Sequence, residues 1–396
     1  MDQAPTKPKG WVLPLCFALI IGAAFVELLF RVVIFPDWRD VSQANFERHP
    51  IYGTFQKPNM VIRRFNPPNY DVINRTNSRG FRDRDEGFDD DLAGIWAAGA
   101  SNSYGAFMED DEIFSARLQQ RGYKVANLSS EGHRLGAQIR VVRHLVSQGY
   151  RPRAVLFEMT LNNALGEYGQ DIADLMKPLK IQTDAPSARQ DGTASALLKR
   201  QVTRLKKAAR ISWLAIKGRL INNSAFYTWL KVGINGIPAL RDWTLKVGLR
   251  ADVTLVDPTP PGLLRDVPET PNDVLIQSAV DLSVAVKDWV GQTLNVPFAI
   301  ILVPGPHHLN PKDFSRYMRH LGLDENEMDA TRPFRLLKQG LIANGVPVLD
   351  TAPALLASDE FLRFPDDGHM NATAHAIVAG EVAKFLAHEL GLEPDL

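Results

Sequence analysis

Ser101 is the second residue past Gly99 in I-W-A-A-G-A-S-N-S-Y-G (Ile95–Gly105). Far downstream, F-P-D-D-G-H-M-N (Phe364–Asn371) sets His369 three residues after Asp366 and two after Asp367. A serine hydroxyl is a weak nucleophile until a histidine takes its proton, and that histidine must itself be held in place. Either aspartate can accept from Nδ1 of His369 and leave Nε2 free as the base. Between these stretches, Gly132 ends N-L-S-S-E-G (Asn127–Gly132), and Asn162 lies in F-E-M-T-L-N-N (Phe157–Asn163). A glycine N–H can approach a substrate closely and a side-chain amide can donate. Both are therefore candidate donors to a developing oxyanion.

These residues need elements that bring them to one edge. Gly94–Ala98 has the length and composition of a buried strand, stops at a glycine and turns polar. A helix is expected over Phe107–Arg121, with Glu109, Asp110, Asp111 and Glu112 at its N-terminal end, where carboxylates suit the helix dipole. Further strands are expected at Lys124–Leu128, Ala154–Met159, Phe298–Val303 and Val346–Asp350. Helical patterns fall at Ala137–Gln148, Asp273–Val290 and Phe334–Asn344. Strands separated by helices predict a parallel sheet covered on both faces, whose carboxyl edge is where ligands bind. Asn371 is a natural N-cap for a last helix from Ala372 to about Leu390, which fixes the backbone just after His369.

With those pieces in place, the chain resembles the SGNH/GDSL hydrolase superfamily, whose blocks supply Ser, Gly, Asn and His in that chain order. Gly99-Ala100-Ser101 matches the first block, Gly132 the second, Asn162 the third, and Asp366/Asp367 with His369 the last. T-N-S-R-G-F-R-D (Thr76–Asp83) is similar to the run that precedes the domain in membrane-anchored bacterial members. The resemblance covers Thr76–Gly166 and Phe298–Leu390. It implies a three-layer α/β/α, flavodoxin-like domain of about five parallel strands and a Ser–His–Asp mechanism. In that mechanism Ser101 is the nucleophile, His369 the base and Asp366 or Asp367 the orienter; the N–H groups of Ser101 and Gly132 and the amide of Asn162 form the oxyanion hole. The Asp-x-x-His spacing common in the superfamily favours Asp366, and the Asp-x-His of some polysaccharide-modifying relatives favours Asp367. Ala100 stands where the family usually has Asp, Thr160 where it has Gly, and Asn163 where it has Asp. Ser103 is a second serine in the first block, and His307 and His308 follow the strand at Phe298–Val303.

The chain has 396 residues, 45% hydrophobic and 23% charged, the composition of a globular protein. Its formal net charge is +0, which gives no argument for nucleic acid. Trp11–Phe35 is long and apolar enough to anchor the chain in a bilayer, with Glu27 and Arg31 able to pair at i,i+4. Lys7 and Lys9 precede it and favour a cytoplasmic tail at 1–10, although Arg31 and Arg39 oppose that bias. The apolar stretch is too long for a typical signal-peptide core, and no small-x-small cleavage site follows it. Cys16, within the span, is the only cysteine, so no internal disulfide forms. Residues 36–90 read as an extended arm, and 91–396 as the domain. The domain carries an insertion at about 177–250 with fifteen Lys and Arg against three Asp. Within that insertion Ser195–Ile221 has the spacing of a basic amphipathic helix. We see no metal-ligand set and expect no cofactor.

The sequence therefore predicts a membrane-anchored serine esterase or O-acyltransferase with an extracytoplasmic domain. By resemblance its substrate is an acyl ester or acylated cell-surface glycan, and its partners are membrane lipid and, for acyl transfer, a membrane-bound acyltransferase. The competing expectation is a catalytically degenerate carbohydrate-binding or assembly factor that keeps the fold.

Overall fold

The structure is a computed structural model that describes residues 12–36, 45–66, 69–165, 224–237, 239–240, 243–244, 259–364 and 368–395. Two compact units divide it, one of Met1–Ala44, Phe65–Pro68 and Ala185–Arg241, the other of Asn45–Arg64, Asn69–Asp184 and Asp242–Leu396. In the smaller unit, an α-helix over Val12–Leu29 continues as a π turn over Phe30–Ile34. Pro14–Ile34 is long and apolar enough to cross a membrane. The expected pair forms there, with Arg31 Nε 2.7 Å from Glu27 Oε1. Ser195–Ile221 lies outside the described residues.

The larger unit holds a five-stranded parallel sheet. Its strands are β5 (Ile95–Ala98), β6 (Val125–Asn127), β7 (Ala154–Met159), β8 (Phe298–Leu302) and β9 (Val348–Asp350), in the order β6-β5-β7-β8-β9. The chain runs from β5 out to β6 and then crosses back to β7. The crevice at the carboxyl end of β5 is thus a topological switch point, the place where doubly wound sheets bind ligands.

Strand residues alternate between two cores, as the period of two demands. Trp96, Ala98, Val155, Phe157, Ile300 and Leu302 pack on one face, under helices Leu135–Ser147, Asp273–Leu294 and Arg332–Ala343. Ile95, Ala97, Leu156, Ala299 and Ile301 pack on the other, under helices Phe114–Gln119 and Ala372–Glu389. Helices on both faces give the expected three-layer α/β/α arrangement.

Two expectations need correction. The stretch read as an extended arm contains β1 (Phe46–His49) antiparallel to β2 (Gly53–Gln56), and β3 (Val61–Asn66) paired with β4 (Tyr70–Arg75). Its Tyr52, Phe55, Phe81 and Phe88 are buried in the main core. These aromatics are spread among Arg, Asn and Pro, so no periodic apolar pattern announces them. The helix expected at Phe107–Arg121 is confined to Phe114–Gln119, and the acidic run at Glu109–Glu112 lies ahead of it in the segment that follows the short helix Ser101–Tyr104. Glu109 and Asp110 accept from the backbone N–H groups of Ile73 and Arg75, and Asp110 also pairs with Arg75 and Arg82. Those carboxylates answer the second hairpin and its neighbouring arginines rather than a helix dipole.

Candidate active site

β5 ends at Ala98, and Ser101 opens the short helix that follows. The turn between them is tight enough to require Gly99. A Cβ built there would lie 2.5 Å from Cβ and Oγ of Ser103 and 2.9 Å from Cβ of Glu158. The turn is tied down from three sides. Glu158, on β7, accepts the Ala100 N–H at 2.9 Å. Ser130, past β6, donates its N–H to the Gly99 carbonyl at 3.2 Å. Asn127 donates from Nδ2 to the Ser103 carbonyl at 3.2 Å.

The T-N-S-R-G-F-R-D run acts on the same turn. Asn77 Oδ1 accepts the N–H groups of Arg79 and Phe81, each at 3.0 Å, and so shapes a loop that delivers Arg82 inward. Arg82 is buried and donates to the carbonyls of Tyr104, Gly105 and Met108, which fixes the segment just past Ser101. Asp83 accepts the Asn127 N–H at 2.8 Å, and burial raises its carboxyl to about 6.

The histidine loop is closed by its own backbone. The Phe364 N–H donates to the His369 carbonyl, and the Asn371 N–H to the Leu362 carbonyl, each at 3.0 Å. Arg363, largely buried, donates to the carbonyls of Gly368 and Pro304, and burial brings its guanidinium down to about 10. Asn371 caps the last helix as expected, accepting the Ala374 N–H at 3.1 Å. Asn102 then joins the two loops, its Oδ1 accepting the Met370 N–H at 3.2 Å.

These restraints bring His369 Nε2 to 2.7 Å from Ser101 Oγ. With the proton on Ser101, the hydroxyl donates to Nε2, the geometry a general base needs. Phe107 meets the imidazole edge-on at 5.0 Å and is itself stacked on Tyr70 at 4.4 Å, so one wall beside the pair is apolar.

Gly132 and Asn162 follow β6 and β7, the two strands that flank β5. Gly132 has φ +74°, which a side chain tolerates poorly, and open space where a Cβ would stand. Asn162 is exposed on the short helix Leu161–Leu165. Thr160 caps that helix: its Oγ1 accepts the Asn163 N–H at 3.3 Å. Asp366 and Asp367 lie outside the described residues. His307 and His308 are packing residues, stacked on Tyr317 at 4.5 Å and edge-on to Phe334 at 4.8 Å.

Sequence reasoning missed Glu158, Asn102, Arg82 and Arg363. Only Glu158 carried a signal, as the one charge in the buried strand A-V-L-F-E-M. Burial raises its carboxyl above the ordinary range, opposed by the Ala100 N–H.

No family model and no curated protein sequence matches the chain. Among solved structures, the chain aligns with TesA at 10% identity, covering 74% of this chain and 97% of that one, with a TM-score of 0.34. It also aligns with a member of the lipolytic protein G-D-S-L family from Veillonella parvula at 10% identity, covering 74% and 98%, with a TM-score of 0.34. A protein from Lactobacillus plantarum aligns at 11% identity, over 75% and 97%, with a TM-score of 0.34. Superpositions this loose carry no argument about chemistry, which rests on the geometry above.

Proposed function

We propose that this chain is a membrane-anchored serine esterase or O-acyltransferase acting on acyl esters, with O-acyl groups of cell-surface polysaccharide as the substrate class. The observation that carries the proposal is the 2.7 Å contact between His369 Nε2 and Ser101 Oγ at the switch point of the sheet. Ser101 attacks the ester carbonyl while His369 takes its proton. His369 then returns that proton to the departing alcohol, leaving an acyl-enzyme. Asp366 or Asp367 orients the imidazole, and the N–H groups of Ser101 and Gly132 with the Asn162 amide hold the oxyanion. Water completes hydrolysis and a sugar hydroxyl completes transfer.

A fluorophosphonate probe tests the proposal, because it reacts only with an activated serine. Wild-type protein should label, Ser101→Ala should not, and Ser103→Ala should label nearly as wild type. Absence of labelling in folded wild-type protein would replace the catalytic proposal with the degenerate binding or assembly role.

The anchor supports an extracytoplasmic placement of the domain, since Lys7 and Lys9 precede the apolar helix. Protease added to spheroplasts should digest the domain. Protection there, with cleavage in inverted vesicles, would rule out a cell-surface substrate.

A further inference from the structure

Glu27 lies inside the apolar stretch Pro14–Ile34. An ionisable group at such depth needs partners, and it marks a place where the span does more than cross. Arg31 supplies one, donating from Nε to Oε1 at 2.7 Å. The others come from almost two hundred residues further along the chain. The Ala225 N–H donates to Oε1 at 2.8 Å, and the Ser224 hydroxyl and Phe226 N–H donate to Oε2 at 2.7 and 3.4 Å. Glu27 thus neutralises the positive end of helix Ala225–Gly236, whose own cap is Ser224.

The same contact is sealed with apolar side chains. Phe30 and Ala225 are buried together, and the Phe30 ring meets Phe226 and Trp229, each at 5.1 Å. Glu27 is seven residues short of Ile34, which at 1.5 Å per residue places it about 10 Å inside the end of the span. The first turn of helix Ala225–Gly236 therefore starts at hydrocarbon depth. The contact leaves these residues partly uncovered: Phe226, Trp229 and Leu230 are 37%, 42% and 40% exposed, and Ile237, just past the helix, is 50% exposed. These positions recur at helical spacing. They continue the exposed apolar surface of the span itself, where Phe25, Leu28, Val32 and Val33 are also uncovered.

We propose that helix Ala225–Gly236 is a membrane-embedded interfacial element, latched to the span by Glu27, with its Phe226–Trp229–Leu230 face among the lipid acyl chains of the leaflet distal to the N-terminus. The occupant is lipid because the uncovered face is continuous with a surface that lipid already covers if the span crosses. Trp and Phe beside a satisfied polar end are suited to that depth. The insertion is thereby tied to the membrane at a second point. The inference rests on the proposed membrane crossing of Pro14–Ile34.

Spin-label accessibility in full-length protein, reconstituted into phosphatidylcholine–phosphatidylglycerol vesicles, tests both statements separately. Native Cys16 labelled with a nitroxide reports the span. Cys16→Ser/Trp229→Cys and Cys16→Ser/Leu230→Cys, labelled in the same way, report the helix. The expected result is an oxygen collision rate several-fold above that of a water-soluble nickel chelate at all three positions. Lipid exposure at position 16 with chelate exposure at 229 and 230 would overturn the interfacial helix and leave the span standing. Chelate exposure at position 16 would remove the span and the inference with it. Labels at 229 and 230 hidden from both reagents, with disulfide-linked dimers of the unlabelled variants, would replace lipid by a second copy of the chain and overturn the inference.

Discussion

Gly99→Ala is the sharpest perturbation of the proposed site, because it adds one methyl group and touches neither Ser101 nor His369 directly. The new Cβ would stand 2.5 Å from Cβ and Oγ of Ser103 and 2.9 Å from Cβ of Glu158. Ordinary contact begins near ~3.5 Å, so something must move by about 1 Å. Rotation about χ1 moves Ser103 Oγ aside, but no rotamer change moves the Cβ atoms of Ser103 and Glu158. Backbone must yield, and the most direct yield is at Ala100–Ser101. Overpacking of this kind costs about 1–3 kcal/mol, which at roughly 2–4 °C per kcal/mol lowers Tm by a few to about ten degrees. A displacement of about 1 Å at a reacting atom costs roughly 10²-fold in rate. Hydrolysis of p-nitrophenyl acetate and fluorophosphonate labelling should therefore both slow by about two orders of magnitude in protein that remains folded well below its new Tm. Full activity with an unchanged Tm would refute the claim that close packing at Gly99 positions the nucleophile. A loss no larger than the unfolded fraction would refute it equally.

Asp366→Asn and Asp367→Asn should separate the two candidates for the orienting acid. The true orienter lowers kcat by orders of magnitude through a mis-set imidazole tautomer, the other changes it little, and two silent variants would mean that His369 is held another way. Ser103→Ala should retain most p-nitrophenyl acetate hydrolysis, since His369 reaches Ser101; a loss confined to this variant would mean that the wrong serine was taken as nucleophile. Burial holds His133 and His375 neutral, with pKa lowered to about 4 and about 3. Because the folded values lie below the ordinary ~6.5, their contribution is complete above that pH and is lost as pH falls toward 4 and 3. At pH 5 each histidine costs about 2 kcal/mol relative to neutral pH. His375→Asn keeps an acceptor for the Phe114 N–H, now held at 3.2 Å by Nδ1, and should reduce the loss of stability between neutral pH and pH 5, read by urea titration, by about 2 kcal/mol. An unchanged pH profile would mean that His375 does not titrate on unfolding in this range.

Local physics made part of this protein legible in its sequence. β7 and the cores of the other four sheet strands read directly, because a run packed between two layers of helices is mostly apolar. Asn371 read as a cap because only a short polar side chain satisfies the first turn of a helix that begins there. Glu27 and Arg31 read as a pair because four residues make one turn. The serine, glycine, asparagine and histidine stretches could be ordered along the chain through their resemblance to the family's blocks, and the first three each follow a recognisable apolar run. Tertiary structure decided what periodicity cannot carry. Ser101 and His369 are 268 positions apart, and only the sheet, the closed histidine loop and the Asn102–Met370 link bring them into contact. The polar residues that fix this geometry looked like surface residues in a linear reading. Arg82 and Arg363 are buried because carbonyls from distant segments surround them, and Glu158 because the Ala100 N–H needs an acceptor. The aromatic residues of the first hairpins enter the core for a similar reason: their apolar partners are supplied by helices and strands elsewhere in the chain, so nothing next to them in sequence marks them as buried.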